Sequence, residues 1–302
     1  MYFKTLATAA VLSAALAFSS TASTPEAAAQ SANLGQLSSA AGIFNAPAPT
    51  KIDYQLGTRA YTAYIPGNYN PSTAYPVIFA YGGYEHSAEK AASYMKLATT
   101  AGGHAIVIYP LPLQNHLGNY GWEGPSYAPT RRGEDVTFTR NILEDVAGRY
   151  HVDRARIYAA GLSNGGAMAM SNACQSPDIF AAVAGVATAS YEAVFRGCTS
   201  RVPTLLIHGT DDPIINYRTS GMGRGGRFIN TRATWAMLGQ RNGCDTSAAN
   251  ITYTPGDGYD TFVYRGCTET RLIRVSGGGH TWFPGRPNTS QTVWDFFQRH
   301  HH

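Results

Sequence analysis

The stretch "RIYAAGLSNGGAMAM", residues 156–170, sets one serine among glycines directly after a short apolar run. Ser163 follows Gly161 and precedes Gly165, which gives the pattern Gly-x-Ser-x-Gly. Small neighbours let a strand turn sharply into a helix and lift the serine hydroxyl clear of the backbone. The pattern therefore predicts that Ser163 is a nucleophile.

The residues on either side of the Gly-x-Ser-x-Gly pattern say more about local structure than the pattern itself. Glycine accounts for 32 of 302 residues, so a lone match could arise by chance. However, "ARIYAAG" at 155–161 is short and apolar, as a strand requires. The apolar residues of the following segment, 164–174, stand at spacings that one face of a helix can bury. The context therefore predicts a strand, a sharp turn at Ser163 and a helix.

Strand-like and helix-like segments alternate through the rest of the chain, which at 302 residues and 44% hydrophobic content is long enough for one large α/β domain. The predicted strands are 51–57, 59–66, 76–83, 105–110, 155–161, 181–187, 204–209 and 271–279, and the predicted helices are 87–100, 133–150, 164–174, 227–242 and 292–300. The later strands are nearly continuous apolar runs, typical of parallel strands buried on both faces. We predict a mostly parallel central sheet with helices on both faces, spanning residues 51–302.

The first residues are typical of an export signal. Lys4 precedes the apolar run "LATAAVLSAALAF", which is too short to span a bilayer, and small residues follow it. We predict a signal peptide over 1–29, a flexible leader over 30–50 and a secreted or extracytoplasmic protein without stable membrane insertion. A retained membrane anchor is the alternative.

Four cysteines lie beyond the predicted signal, at Cys174, Cys198, Cys244 and Cys267. Three connectivities are open, and pairing of sequence neighbours closes the shortest loops, so we expect two disulfides. The chain has neither a Cys-x-x-Cys spacing nor a His-Cys cluster, and we predict no metal site.

The formal charge of +4 is mild, and the basic residues are scattered. Several arginines surround "GMGRGG" at 221–226, which we interpret as a solvated loop. The glycine pattern there does not directly follow a strand in a βαβ unit, so it predicts no nucleotide site. We expect no nucleic-acid partner.

Ligands of such sheets gather at the carboxyl ends of the strands, where three further segments carry chemistry. Gly83 follows one strand, and its N–H together with that of Asn164 would supply two donors to an oxyanion. Asp211 or Asp212, after another strand, could orient an imidazole. His280, on the glycine-rich segment "GGGHTW", could exchange a proton with Ser163.

These segments, taken together, resemble secreted α/β-hydrolase esterases of the polyhydroxybutyrate depolymerase and feruloyl esterase group. The resemblance runs from about Tyr61 to Phe297 and is carried by "GLSNGG", "PDIFAAVAGVA", "HGTDDPIINY", "RNGC" with "YRGC", and "GGGHTW". It implies the α/β-hydrolase fold, a triad of Ser163, His280 and Asp212, and a disulfide between Cys244 and Cys267. It implies no cofactor.

Aromatic residues near the strand ends are candidates for contacts with substrate. Tyr81, Tyr84, Trp122 and Trp282 are the principal ones, and Tyr127 and Phe283 are further candidates. The resulting hypothesis is a serine esterase that hydrolyses feruloyl, acetyl or hydroxyalkanoate oligomer esters through an acyl-enzyme. A cell-envelope acyltransferase, a serine peptidase and a non-catalytic binding protein remain as alternatives.

Overall fold

The structure is a computed structural model that describes residues 47–199 and 201–302. The predicted signal peptide lies outside the described residues, as does most of the predicted leader. The leader's last predicted residue, Thr50, is the first residue of a strand. None of the described helices is long and apolar enough to cross a membrane.

Fourteen strands are present in the described part of the chain. In chain order they are β1 (Thr50–Leu56), β2 (Arg59–Ile65), β3 (Tyr75–Tyr81), β4 (Ile106–Pro110), β5 (Leu113–Gln114), β6 (Tyr120–Gly121), β7 (Val152–Leu162), β8 (Ala182–Val186), β9 (Thr204–Gly209), β10 (Gly221–Gly223), β11 (Gly226–Phe228), β12 (Ile251–Pro255), β13 (Tyr259–Tyr264) and β14 (Thr270–Val275). The helices are α1 (Ala88–Met95), α2 (Leu97–Ala101), α3 (Glu134–Arg149), α4 (Asn164–Gln175), α5 (Thr231–Arg241) and α6 (Thr289–Phe297).

Ten of the strands form one sheet in the order β1-β2-β4-β3-β7-β8-β9-β14-β13-β12. The six strands from β4 to β14 in this order run parallel, and antiparallel strands extend the sheet at both edges. Because the parallel strands point the same way, the segments after β3, β7, β9 and β14 all emerge at one rim of the sheet. That rim carries the predicted site.

Alternate residues of the parallel strands enter two separate cores. In β3, Val77 and Phe79 pack with α3, α4 and α5 on one face, and Ile78 and Ala80 pack with α1, α2 and α6 on the other. This alternation is the two-residue period of a strand. The predicted parallel sheet with helices on both faces is confirmed.

All eight predicted strands are present, but three of the five predicted helices have different boundaries, and the helix predicted over 292–300 runs over Thr289–Phe297. The helix predicted over 87–100 is two helices, because Lys96 adopts a left-handed conformation with φ of 51° between them. The helix predicted from 227 begins at Thr231, where the Asn230 side chain caps it by accepting from the N–H of Ala233. The β12–β13 hairpin was missed since β12 is mostly exposed and lacks an apolar run.

Candidate active site

Ser163 lies at the sharp turn between β7 and α4. Its φ of 55° and ψ of −116° place a non-glycine residue in a rarely occupied conformation. A Cβ on Gly161 would lie 2.1 Å from the carbonyl oxygen of Gly165, and one on Gly165 would lie 2.1 Å from that of Tyr81. The backbone therefore admits only glycine at both positions, as the Gly-x-Ser-x-Gly pattern predicted.

Asp212 follows β9 and is almost fully buried. Its Oδ1 accepts from the backbone N–H groups of Ile214, at 2.8 Å, and Ile215, at 2.9 Å, while its Oδ2 lies 2.7 Å from Nδ1 of His280. Asp211 is exposed and accepts a hydrogen bond from the hydroxyl of Thr210. The structure thus brings Asp212, and not Asp211, to the imidazole.

The loops that carry Asp212 and His280 are joined by backbone contacts. The N–H of Asp211 donates to the carbonyl of Gly278 at 2.9 Å, and the N–H of Gly277 donates to Oγ1 of Thr210 at 2.8 Å. A Cβ on Gly209, at the end of β9, would lie 2.0 Å from the Gly278 carbonyl oxygen. This close approach sets the acid and the histidine side by side.

His208, which sequence reasoning missed, is a second histidine on the Asp212 carboxylate. The buried Nε2 of His208 lies 2.9 Å from the carbonyl oxygen of Ile215 and 3.1 Å from Oδ2 of Asp212. Both neighbours are acceptors, so Nε2 carries the proton and donates. The only sequence signal is that a histidine occupies the penultimate position of β9, four residues before Asp212.

The hydrogen bonds to Asp212 stabilise its charged form. Burial alone raises the pKa of this carboxyl, but the hydrogen bonds from His208 and His280 outweigh it and hold the pKa well below its usual range. Asp212 is therefore ionised at neutral pH. An ionised carboxylate on Nδ1 of His280 leaves Nε2 of that ring as the proton acceptor.

Ser163 and His280 line the same cavity, of about 330 Å³. One wall of it is formed by Tyr84, Tyr127 and Tyr191, and the ring centroids of Tyr84 and Tyr127 are 4.6 Å apart. Mixed apolar and polar walls around a potential nucleophile are typical of small-molecule sites.

Gly83 and Asn164 both lie next to Ser163. The Asn164 side chain is already engaged, since its Oδ1 accepts from the N–H of Trp122 at 2.7 Å and its Nδ2 donates to the Trp122 carbonyl. Its backbone N–H is at the first position of α4, where helices leave N–H groups without intrahelical partners. Gly83 lines the cavity, and a Cβ on it would lie 3.6 Å from the Ser163 Cβ.

Two of the predicted substrate contacts are wrong because their side chains are fully buried and do not line the cavity. Tyr81 is fully buried, and its hydroxyl bonds to Thr139 at 2.8 Å and accepts from Asn172 at 3.0 Å. Trp122 is also fully buried and donates from Nε1 to the carbonyl of Gly82 at 3.0 Å. These aromatics support the rim of the sheet and do not line the site.

The prediction is also wrong for Trp282 and Phe283. Trp282 is buried in the second core and donates from Nε1 to the hydroxyl of Ser290 at 3.0 Å, and Phe283 packs in the same core. Tyr84 and Tyr127 are the predicted aromatics that do line the cavity. Proximity in sequence to a strand end could not distinguish the aromatic residues that line the cavity from those that are buried in the cores.

The cavity has further lining residues that sequence reasoning missed, among them His86, Tyr94 and Tyr191. Burial, with a smaller contribution from Lys90, lowers the pKa of His86 to about 4, so its imidazole is neutral at neutral pH. Its Nδ1 is buried and has no hydrogen-bond partner among the described residues. Arg224, which we interpreted as part of a solvated loop, also lines the cavity.

Both disulfides join sequence neighbours, Cys174 with Cys198 and Cys244 with Cys267. The first ties the end of α4, the helix that begins at the serine turn, to the segment after β8. Within residues 47–199 and 201–302, no cluster of three or more His, Cys, Asp or Glu side chains could hold a metal ion.

The chain is similar to known proteins, both in the segment around the serine turn and over most of its length. A family model described as Phospholipase/Carboxylesterase matches residues 137–224, which include Ser163 and Asp212. The chain is 28% identical over 256 residues to a probable feruloyl esterase C of Aspergillus niger, covering 81% of this chain and 85% of that protein. It is also 28% identical over 262 residues to a feruloyl esterase D of Neurospora crassa, covering 80% and 82% respectively.

Among solved structures, an acetyl xylan esterase from Aspergillus awamori superimposes with a TM-score of 0.61 at 16% identity. The match covers 83% of this chain and 100% of that chain. At this identity the match shows a shared fold.

Proposed function

We propose that this chain, an α/β-hydrolase related to the feruloyl esterases, hydrolyses carboxylic esters through a Ser163, His280 and Asp212 triad and an acyl-enzyme. The fold and the resemblance predicted from the motifs are confirmed by the matches above. The triad, the covalent intermediate, the substrate and export from the cell constitute the proposal. The single observation that carries it is that His280, whose Nδ1 is hydrogen-bonded to Asp212, lines the same cavity as the strained Ser163.

In the proposed first step, Nε2 of His280 takes the proton of the Ser163 hydroxyl as Oγ attacks the ester carbonyl carbon. The backbone N–H groups of Gly83 and Asn164 stabilise the negative oxygen of the tetrahedral intermediate. Protonated His280, stabilised by ionised Asp212, then gives its proton to the departing alkoxide, and the acyl group remains on Ser163.

In the second step, His280 takes a proton from water as the water oxygen attacks the acyl carbon. Collapse of this second intermediate returns the proton to Oγ of Ser163 and releases the acid. Each proton taken by His280 is returned within the cycle. The reaction therefore consumes one ester and one water and yields one alcohol and one acid.

The substrate we propose is an ester with a feruloyl-type acyl group, and short acyl esters such as acetates are second candidates. The tyrosine wall of the cavity favours a flat aromatic acyl group, because aromatic rings pack well edge to face. The names of the relatives, feruloyl esterases, agree with this assignment.

The experiment is a panel of acetyl, butyryl, feruloyl and hydroxybutyrate oligomer esters, measured with wild type, Ser163→Ala and the control Ser276→Ala. Ser276 is exposed on the loop that leads to His280 and does not line the cavity. We expect Ser163→Ala to fold and to retain under about one thousandth of the wild-type rate, and Ser276→Ala to keep full activity. Equal rates for Ser163→Ala and wild type would contradict the proposal.

Adding acceptor alcohols and matched amides to the panel separates the alternatives. An acyltransferase would give transesterified product when acceptor alcohols are added, and a peptidase would cleave matched amides at rates comparable to esters. A non-catalytic binding protein would cleave none of the esters.

A further inference from the structure

We propose that Arg224 is a specificity-determining residue that binds a carboxylate carried by the ester substrate. This proposal rests on the proposed function and names a substrate class for the same site: esters with one negative charge away from the scissile bond. It concerns the "GMGRGG" segment at 221–226, whose sequence predicted a solvated loop and no nucleotide site.

The segment forms a hairpin whose tip is held against the rim of the cavity. β10 and β11 pair, and Arg224 lies in the turn between them. The N–H of Gly225 donates to the hydroxyl of Tyr191 at 3.2 Å, and the carbonyl of Gly225 accepts from the N–H of Ser126 at 3.0 Å. A Cβ on Gly225 would lie 2.4 Å from Cβ of Pro125, so the backbone of the tip is closely packed.

This anchoring presents the Arg224 side chain to the cavity. Its guanidinium carbon lies 4.8 Å from the ring centroid of Tyr84, and it lines the cavity that contains Ser163. A guanidinium over a tyrosine face is favourably placed but keeps its N–H groups free for a planar anion.

Arg224 has no anionic partner in residues 47–199 and 201–302, where no acidic group lies within ion-pair distance of it. In contrast, Arg227 on the same hairpin pairs with Glu192 at 2.9 Å. The described residues that line the cavity include no aspartate or glutamate. The described lining residues therefore give the cavity a positive charge and no negative charge to balance it.

A second cavity, of about 510 Å³, adjoins the first and shares Tyr127 and Arg224 with it. Its other walls are polar in part, with Asn115, His116 and Ser126. An ester longer than the catalytic cavity would extend past the guanidinium. Arg224 is thus placed to meet a charged group on the distal part of such a substrate.

The test uses two matched pairs of esters, with the charge on the acyl side or on the alcohol side. The pairs are para-nitrophenyl hydrogen glutarate with para-nitrophenyl pentanoate, and para-acetoxybenzoate with its methyl ester, scored by acetate release. Values of kcat/KM are measured for wild type, Arg224→Gln, Arg224→Lys and the control Arg227→Gln. Because each comparison is a ratio of variants on the same ester, differences in intrinsic reactivity cancel.

We expect Arg224→Gln to lower kcat/KM for the anionic member of at least one pair by about five- to tenfold more than for its neutral partner, mainly through KM. Arg224→Lys should recover part of this preference, Arg227→Gln should keep it, and added salt should weaken it. Equal losses on anionic and neutral esters in both pairs would overturn the proposal. Cleavage of the neutral esters by wild type, with loss in Ser163→Ala, would leave the proposed function standing in that case.

Discussion

At the scale of single residues, the site is organised around the Asp212 carboxylate. Two histidines and two backbone N–H groups converge on it, and the motif order of serine, aspartate and histidine predicted only one of these contacts. His208 could not be predicted because it lies inside a strand, where an isolated polar residue carries no motif. Its contact depends on how the chain turns back after β9.

We predict that His208→Phe lowers kcat by about tenfold and leaves KM nearly unchanged, because Asp212 loses a donor that orients it and the imidazole of His280 is held less firmly. The measurement is ester hydrolysis with the exposed His151→Gln as the control. A fall in thermal stability with unchanged kcat would limit His208 to a structural role.

A second prediction at this scale concerns pH and His86. Its pKa is about 4 in the folded protein against 6.5 for the free side chain, so the unfolded chain binds a proton first as the pH falls. Unfolding is therefore favoured progressively from about pH 6.5 to pH 4. Asp212 does not contribute in the upper part of this range, because the stability from its lowered pKa is lost only at lower pH.

The measurement is the melting temperature at pH 7 and at pH 5 for wild type and His86→Gln. We expect the wild type to lose more stability than the variant between these two conditions. An identical loss in both proteins would show that His86 does not titrate in this window.

At the scale of elements, the serine turn depends on contacts between backbones. The Gly-x-Ser-x-Gly pattern predicted the turn. The alternation of apolar strand-like segments with helix-like segments predicted a central sheet with helices on both faces. The break at Lys96 was not predictable, because no glycine or proline marks it. The buried aromatics were misassigned since a position near a strand end does not tell which face of the element a side chain occupies.

We predict that Gly165→Ala destabilises the protein by more than about 3 kcal/mol, since its Cβ would overlap the carbonyl of Tyr81. The matched control is Gly148→Ala in α3, where a Cβ would meet nothing within 4 Å. That change should stabilise by about 0.5–1 kcal/mol. Chemical denaturation of both variants checks the pair, and similar effects from the two would contradict the packing argument.

At the scale of the whole molecule, the order of strands in the sheet brings distant residues together. Ser163, Asp212 and His280 follow β7, β9 and β14, which are close together in the sheet although well separated in sequence. A parallel sheet could be predicted from the apolar runs, and with it one common rim. The walls of the cavity could not, because Tyr94, Tyr191 and Arg224 come from a helix, a loop and a hairpin with no motif in common.

The two disulfides close loops of similar length, because the paired cysteines are 24 and 23 residues apart. We predict that the double variant Cys174→Ala with Cys198→Ala loses about 2–4 kcal/mol of unfolding free energy, mainly because the unfolded chain gains freedom. The measurement is denaturant unfolding with and without dithiothreitol. Dithiothreitol should lower the stability of the variant further through Cys244 and Cys267, and no effect of the double substitution would contradict the prediction.

The most direct test of the central claim is to label the nucleophile covalently and to locate the adduct. Intact-mass spectrometry after exposure to a fluorophosphonate, followed by peptide mapping, should show one adduct on Ser163 in the wild type. We expect no adduct in Ser163→Ala and slow labelling in His280→Ala. An adduct on another residue, or none on the folded wild-type protein, would contradict the account.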